Sequence, residues 1–121
     1  MTKKRILIID DSKEIVELTK HLLEARGYEV VFSLQGNIAP ATAVKCQPDL
    51  ILLDMILEDK TGLELCAEIK TNPQTENIPV IITTGQLEPE EKIPDNLKPD
   101  DYLVKPFELE ELLEKIKKLI N

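Results

Sequence analysis

Five short apolar runs recur along the chain, and each is separated from the next by a stretch with helical spacing of apolar residues. The runs lie at residues 5–9, 29–34, 49–53, 79–83 and 102–104. Consecutive apolar positions are typical of parallel strands, because both faces of a parallel sheet are buried. The alternation predicts one doubly wound α/β domain over residues 1–121, with a five-stranded parallel sheet and helices on both faces.

The first helical stretch places Ile15, Leu18 and Leu22 on one side, and acidic residues occupy the other. This spacing predicts that the three apolar residues pack against the sheet. Val16 lies off that stripe, and we expect it to be exposed and available to a protein partner. Gly27 is expected to end the helix.

Further helices are predicted at about residues 38–45, 62–70 and 108–120. The stretch between the fourth and fifth strands is different, because it contains Pro89, Pro94 and Pro99. A proline inside a helix costs roughly 3 kcal/mol. We therefore expect a shortened or irregular helix there, with at most one or two turns near residues 90–93.

The charge of the chain limits the partners it can bind. Its formal net charge is -8, and the densest basic cluster is Lys3, Lys4 and Arg5. Nucleic acids and anionic membranes select basic patches, so neither is an expected direct partner. The sequence shows no signal peptide or membrane-spanning run, so we expect a cytoplasmic protein with Cys46 and Cys66 reduced.

Three acidic residues follow predicted strands. Asp10 and Asp11 come at the end of the first strand, and Asp54 comes at the end of the third. In a sheet of order 2-1-3-4-5 these strands are neighbours, and ligands bind beyond their carboxyl ends. Three like charges in one place raise each other's pKa unless a cation neutralises them, and Mg²⁺ prefers carboxylate oxygens. The sequence therefore predicts a magnesium site.

Two further groups suit phosphoryl transfer. Lys105 ends the fifth strand and offers a cation, and Thr84 ends the fourth strand and offers a hydroxyl beside Gly85. Thr83 is a rival for the hydroxyl, but the presence of Gly85 and the spacing from Asp54 favour Thr84. A carboxylate nucleophile with a metal, a lysine and a hydroxyl predicts formation of an acyl phosphate on Asp54.

Five blocks of the sequence carry a resemblance to a known family: ILIIDDS, PDLILLDM, TGLEL, PVIITTG and DDYLVKPF. In this order and spacing they resemble the receiver domain of response regulators, over essentially the whole chain. The resemblance implies a flavodoxin-like fold and a cis peptide bond before Pro106. It also implies site roles: phosphoacceptor Asp54; magnesium ligands Asp10, Asp11, Asp54 and the backbone carbonyl of Ile56; phosphoryl contacts Thr84 and Lys105; and switch residues Thr84 and Tyr102.

The resemblance also implies partners. The phosphodonor would be a sensor histidine kinase or a histidine phosphotransfer protein, and the signal would pass to a downstream protein target that the sequence does not identify. Such a domain catalyses only its own phosphorylation and dephosphorylation, so we do not expect a turnover enzyme. Because the sequence ends with its last helix, we expect a stand-alone receiver unless the sequence is a piece cut from a longer protein. We expect either a monomer or a dimer formed on phosphorylation.

Two positions depart from the family pattern. Glu58 stands where the family usually has proline, and Thr61 stands where an aspartate often precedes the glycine. Together with the prolines after the fourth strand, these departures leave open a binding module that works without phosphorylation. Asp11 could also serve as the cap of the first helix, with Glu14 as its reciprocal partner, and that role is compatible with metal binding.

Two other functions fit the fold less well. A flavodoxin-type flavin protein needs a hydroxyl- and glycine-rich phosphate loop after the first strand, where Asp10 and Asp11 would repel the cofactor phosphate. A phosphohydrolase with an aspartate nucleophile has its paired aspartates two residues apart, whereas these two are adjacent.

Overall fold

The computed structural model describes residues 2–85 and 93–120. The elements along the described chain are β1 (Arg5–Ile9), α1 (Lys13–Glu24), β2 (Glu29–Ser33), α2 (Ala39–Cys46), β3 (Leu50–Asp54), α3 (Gly62–Thr71), β4 (Val80–Thr84), β5 (Asp101–Val104) and α4 (Leu109–Ile120). Every strand pair is parallel, and the strand order is β2-β1-β3-β4-β5. The predicted fold class and strand order are confirmed.

Two apolar clusters cover the two faces of the sheet. On one face the strands pack against α2 and α3, through Ala39, Ala43, Leu65, Cys66 and Ile69. On the other face they pack against α1 and α4, through Val16, Leu23, Leu112 and Ile116. Residues alternate between the faces along each strand, since successive side chains of a strand point in opposite directions. Burial on both faces explains why the strands read as unbroken apolar runs.

The face of α1 that packs on the sheet differs from the prediction. Val16 is only 1% exposed and Leu23 is fully buried, whereas Ile15 is 45% exposed and Leu18 is 61% exposed. The prediction that Ile15 and Leu18 pack inward and that Val16 is exposed was therefore wrong. Both sets recur at helical spacing, so periodicity alone does not distinguish them. The helix phase depends on how the chain leaves β1.

The turns that follow β1 and α1 set this phase. Ser12 is the N-cap of α1, and its hydroxyl accepts a hydrogen bond from the backbone N–H of Ile15 at 3.4 Å. The chain turns after the helix at Gly27, whose φ of +92° favours glycine. The cap and the end of β1, and not the spacing of the acidic residues, therefore determine the phase of the helix.

The connection between β4 and β5 is described at residue 85 and from residue 93 onward. A 3₁₀ turn occupies Asp95–Leu97, and the helical turns expected near residues 90–93 lie mainly outside the described residues. Asp100 anchors the end of the connection, because its carboxylate accepts hydrogen bonds from Lys70 Nζ and from the backbone N–H of Val80, both at 2.8 Å. Within the described ranges, no helix is long and apolar enough to span a bilayer.

Candidate functional site

Three carboxylates meet at the carboxyl edge of β1 and β3, which are adjacent in the sheet. One oxygen from each of Asp10, Asp11 and Asp54 lies within 4.8 Å of the other two. The backbone N–H of Asp10 still pairs with the carbonyl of Ser33, and that of Met55 pairs with Thr83, so regular sheet hydrogen bonding extends up to the site. The predicted convergence of the three acids is confirmed.

Asp10 is the most buried of the three, at 6% exposure. Burial is the main reason that its pKa is raised, and the charges of Asp54 and Asp11 add to the effect. The backbone N–H of Ser12 donates to its Oδ1 at 2.9 Å, and this bond and Lys105 oppose the rise in pKa. The ionised form of Asp10 is therefore costly in the metal-free domain.

Asp11 is exposed but has a defined partner. Its Oδ2 accepts a hydrogen bond from the backbone N–H of Glu58, at 3.0 Å, across a sequence separation of 47 residues. The N-cap of α1 is Ser12, so the capping role considered for Asp11 is not the one that the structure shows. Asp11 faces the acidic cluster and the loop after β3.

Lys105 provides the cation of the site. Its Nζ lies 3.1 Å from Oδ1 of Asp54, and both side chains are half-buried. The backbone N–H of Lys105 donates to the carbonyl of Thr84 at 2.8 Å, and the Lys105–Pro106 peptide is cis, as expected. Three carboxylates and one ammonium leave a net charge of -2, so a divalent cation would make the site neutral.

The donor set fits magnesium. Mg²⁺ binds oxygen ligands at about 2.0–2.1 Å, so two ligands on opposite sides of one ion lie about 4.2 Å apart. Carboxylate oxygens within 4.8 Å of one another require only a small closing movement to reach that arrangement. Asp10, Asp11 and Asp54 are the residues that would hold the ion. The backbone carbonyl of Ile56, a mostly exposed residue after β3, stays a predicted fourth ligand.

Gly62 lets α3 begin directly against the end of β3. Its backbone N–H donates to the carbonyl of Met55 at 2.6 Å, and a Cβ at this position would lie 2.7 Å from the carbonyl oxygen of Asp54. Thr61 is the N-cap of α3, and its hydroxyl accepts from the N–H of Glu64 at 3.1 Å. From the sequence, Gly62 is recognisable only as part of the TGLEL motif. The structure gives the reason for a glycine here, which is close packing against the backbone of Asp54.

The two candidate threonines occupy successive positions of β4. Thr83 is paired in register with Asp54, and it lines a small crevice together with Asp10, Asp54 and Lys105. Thr84 is buried and is paired with Val104 of β5. Adjacent strand residues point to opposite faces, so only one of the two lies on the Asp54 face of the sheet. The assignment of Thr84 as the phosphoryl contact stays a prediction.

Tyr102 lies on β5, paired in register with Ile82 of β4. Its half-buried ring packs against the apolar cluster on the α2 and α3 face. A half-buried ring on this strand is compatible with the switch role that the resemblance implies, and that role stays a prediction.

Known proteins resemble the chain along its length. Residues 6–117 match the family described as the response regulator receiver domain. The DNA-binding dual master transcriptional regulator RpaA of Synechocystis is 39% identical over 118 residues, which cover 97% of this chain and 49% of the regulator. The chain thus spans about half the length of the curated relatives it matches.

Solved structures show the same fold. The chemotaxis protein CheY4 of Vibrio cholerae has a TM-score of 0.87 at 30% identity, covering 98% of this chain and 99% of that one. The response regulator TrrA of Thermotoga maritima, solved in complex with Mg²⁺ and BeF, has a TM-score of 0.84 at 34% identity, covering 96% of this chain and 98% of that one. With the clustered acids and the lysine on Asp54, these likenesses lead to one conclusion: the chain belongs to the response regulator receiver domain family, the phosphoacceptor domains of two-component systems.

Proposed function

We propose that Asp54 accepts a phosphoryl group from a phosphohistidine on a sensor kinase or a phosphotransfer protein, in a magnesium-dependent reaction. The observation that carries this proposal is the meeting of Asp10, Asp11 and Asp54 within 4.8 Å, with Lys105 bound to Asp54. Such a domain is a phosphorylation-controlled switch or relay. It is not an enzyme that turns over a metabolite.

The reaction forms one bond and breaks one. A carboxylate oxygen of Asp54 attacks phosphorus, and the phosphorus–nitrogen bond to the donor imidazole breaks. The electron pair of that bond stays on the imidazole nitrogen, which takes a proton from water. Asp10 and Asp11, together with Asp54, would hold Mg²⁺, which when bound would neutralise charge on the phosphoryl oxygens. The ammonium group of Lys105 moves from the Asp54 carboxylate to a phosphoryl oxygen, because the carboxylate loses its negative charge when it becomes an acyl phosphate.

The response to phosphorylation would pass to β4 and β5. In our proposal the hydroxyl of Thr84 bonds the new phosphoryl group, and the ring of Tyr102 shifts between two packings against the α2 and α3 face. Thr84 ends β4 and Tyr102 lies on the neighbouring strand β5, which supports the coupling. A change in the Tyr102 side-chain NMR signals on phosphorylation tests it, and unchanged signals would refute the switch.

The phosphodonor protein would dock on the exposed apolar side of α1. Ile15 and Leu18 form a groove with Phe107, which precedes α4, and with Leu109, its first residue. Ile15 and Phe107 also line the crevice beside Asp54, so the groove is continuous with the site. Exposed apolar patches next to a reactive group are typical of protein contacts. Leu18→Ser should reduce the rate with a phosphorylated phosphotransfer protein relative to the rate with acetyl phosphate, and an unchanged ratio would exclude this surface.

The central experiment is intact-mass spectrometry after incubation with acetyl phosphate and Mg²⁺. We expect one phosphoryl adduct on the wild-type chain, and none on Asp54→Asn or in EDTA. Absence of the adduct on the wild type would favour the alternative, a receiver-like module that binds partners without phosphorylation. That alternative is motivated by Glu58 in place of the usual proline.

The wider setting of the domain also belongs to the proposal. We propose a cytoplasmic protein that signals through protein contacts, as a monomer or as a dimer formed on phosphorylation. RpaA is named as a DNA-binding regulator and is about twice as long as the chain, so its DNA binding is not proposed for this domain. For the domain itself, the net charge of -8 supports no direct contact with nucleic acid.

A further inference from the structure

The two acids that follow β1 each receive one backbone hydrogen bond, but from different parts of the chain. Asp10 is bonded by the N–H of Ser12, two residues away, at 2.9 Å. Asp11 is bonded by the N–H of Glu58, in the loop between β3 and α3, at 3.0 Å. Of these two bonds, only the second joins the carboxylate to another segment of the chain.

The loop holds this donor in place from both sides. On one side Leu57 is buried in the core, and its N–H donates to the carbonyl of Lys60 at 3.1 Å. On the other side the carboxylate of Asp59 accepts hydrogen bonds from the backbone N–H groups of Gly36 at 3.1 Å and Asn37 at 2.8 Å. The N–H of Glu58 therefore sits between two anchored residues.

Asp11 gains most from such a fixed partner. It is exposed, so without a partner its side chain would rotate freely and would lose that freedom on binding a metal. A carboxylate that is already oriented by a hydrogen bond loses less rotational freedom when it binds the metal. Hydrogen-bond partners of metal ligands strongly affect metal affinity. Since one carboxylate can accept several hydrogen bonds or metal contacts, the bond to Glu58 is compatible with metal binding.

We propose that the backbone N–H of Glu58 is a positioning group that pre-orients Asp11 for the divalent cation and so links metal affinity to the loop after β3. The inference rests on the proposed magnesium site and goes beyond it. Proline at this position has no N–H and could not fill the role. The residue matters here for its backbone and not for its carboxylate.

A pair of substitutions separates these two contributions. Glu58→Ala removes the side-chain charge and keeps the N–H, whereas Glu58→Pro removes both. We expect calorimetric titration with Mg²⁺ to show affinity within about twofold of wild type for Glu58→Ala, and an affinity about tenfold weaker for Glu58→Pro. Equal affinities of the two variants would overturn the proposal. Failure of the wild-type chain to bind Mg²⁺ would instead refute the proposed function.

A second measurement avoids the need for proline to be tolerated. In the wild-type chain we expect the amide proton of Glu58 to be protected from hydrogen exchange, and Asp11→Ala should remove that protection while the amide of Ser12 keeps its own. Fast exchange of the Glu58 amide in the wild type, or exchange unaffected by Asp11→Ala, would overturn the proposal.

Discussion

The acidic rim, formed by Asp10, Asp11 and Asp54, and the apolar core beneath it contribute to folding with opposite signs. The core side chains leave water and are stabilised by burial. The rim gathers like charges. Burial of Asp10, with the charges of Asp54 and Asp11 beside it, raises the pKa of this carboxyl, so keeping Asp10 ionised opposes folding in the absence of a cation. Burial of the core therefore supplies the stability that keeps the three acids of the rim close together. Substitutions in the two regions should therefore separate chemistry from stability.

The largest effect is expected at the cation of the rim. Lys105→Ala should slow phosphorylation by acetyl phosphate on the order of 10²-fold, because a positioned charge at the phosphoryl oxygens is lost. The free energy of unfolding should change by less than about 1 kcal/mol, since the Lys105 side chain is 34% exposed to solvent. Intact-mass time courses and urea unfolding measure the two quantities.

Lys115→Ala is the matched control for Lys105. Lys115 also pairs with an aspartate, Asp101, at 3.2 Å, but it lies on α4 away from the acidic rim. Its loss should leave the phosphorylation rate unchanged. Equal rates in both variants would show that the charge of Lys105 does not act on the phosphoryl group.

Substitutions in the core should instead change stability. Val16→Ala should lower the free energy of unfolding by about 2 kcal/mol, because it removes buried methyl groups from α1 and leaves a cavity. Leu18→Ala, on the exposed side of the same helix, should change it by no more than about 0.5 kcal/mol. Urea unfolding of both variants tests the helix phase, and a larger loss for Leu18→Ala would mean that the helix faces are exchanged.

Gly62 joins the two regions, so its substitution should affect both. In Gly62→Ala the new Cβ would collide with the backbone of Asp54, and we expect a loss of about 1–2 kcal/mol together with slower phosphorylation. Gly27→Ala is the matched control. The φ of +92° at this position would strain an alanine, but Gly27 lies beyond the end of α1 that is distant from the site. It should lose about 1 kcal/mol and keep the wild-type phosphorylation rate. If Gly62→Ala also kept that rate, the close packing would serve stability alone.

The smallest effect is expected at Asp10. Its raised pKa means that the folded domain holds this proton more tightly than the unfolded chain does. The stability it contributes is therefore present below the ordinary carboxyl pKa of 3.8 and is lost as the pH rises through the raised value. At neutral pH in EDTA, Asp10→Asn should be more stable than wild type by up to about 1 kcal/mol.

With Mg²⁺ present, wild type should be more stable than Asp10→Asn, the reverse of the order in EDTA. Wild type gains stability by binding the ion, whereas Asp10→Asn has lost a ligand and gains less. Thermal unfolding from about pH 4 to about pH 7, with EDTA and with Mg²⁺, measures both effects. If Asp10→Asn were less stable than wild type in EDTA at neutral pH, the view that the rim opposes folding would be wrong.

Much of the fold and of the site could be read from local patterns. The unbroken apolar runs predicted a buried parallel sheet, and acids at the ends of the first and third runs predicted a shared site. Both predictions hold because strand burial and the convergence of strand ends follow from chain geometry over a few residues. The phase of α1 was missed, since the stripes through Ile15 and through Val16 have the same period and only the Ser12 cap and the exit from β1 select between them.

By itself, then, the sequence determined the layered sheet, the five strands with their carboxyl ends to within one residue, and the acids that come together there. These features depend on residue type and on spacing along the chain. The tertiary structure alone decided which side of α1 is buried and that the N–H of Glu58 would meet Asp11 across 47 residues. It also decided that Gly62 must yield space to the backbone of Asp54. Contacts between distant segments depend on how whole elements pack, and no local pattern encodes that packing.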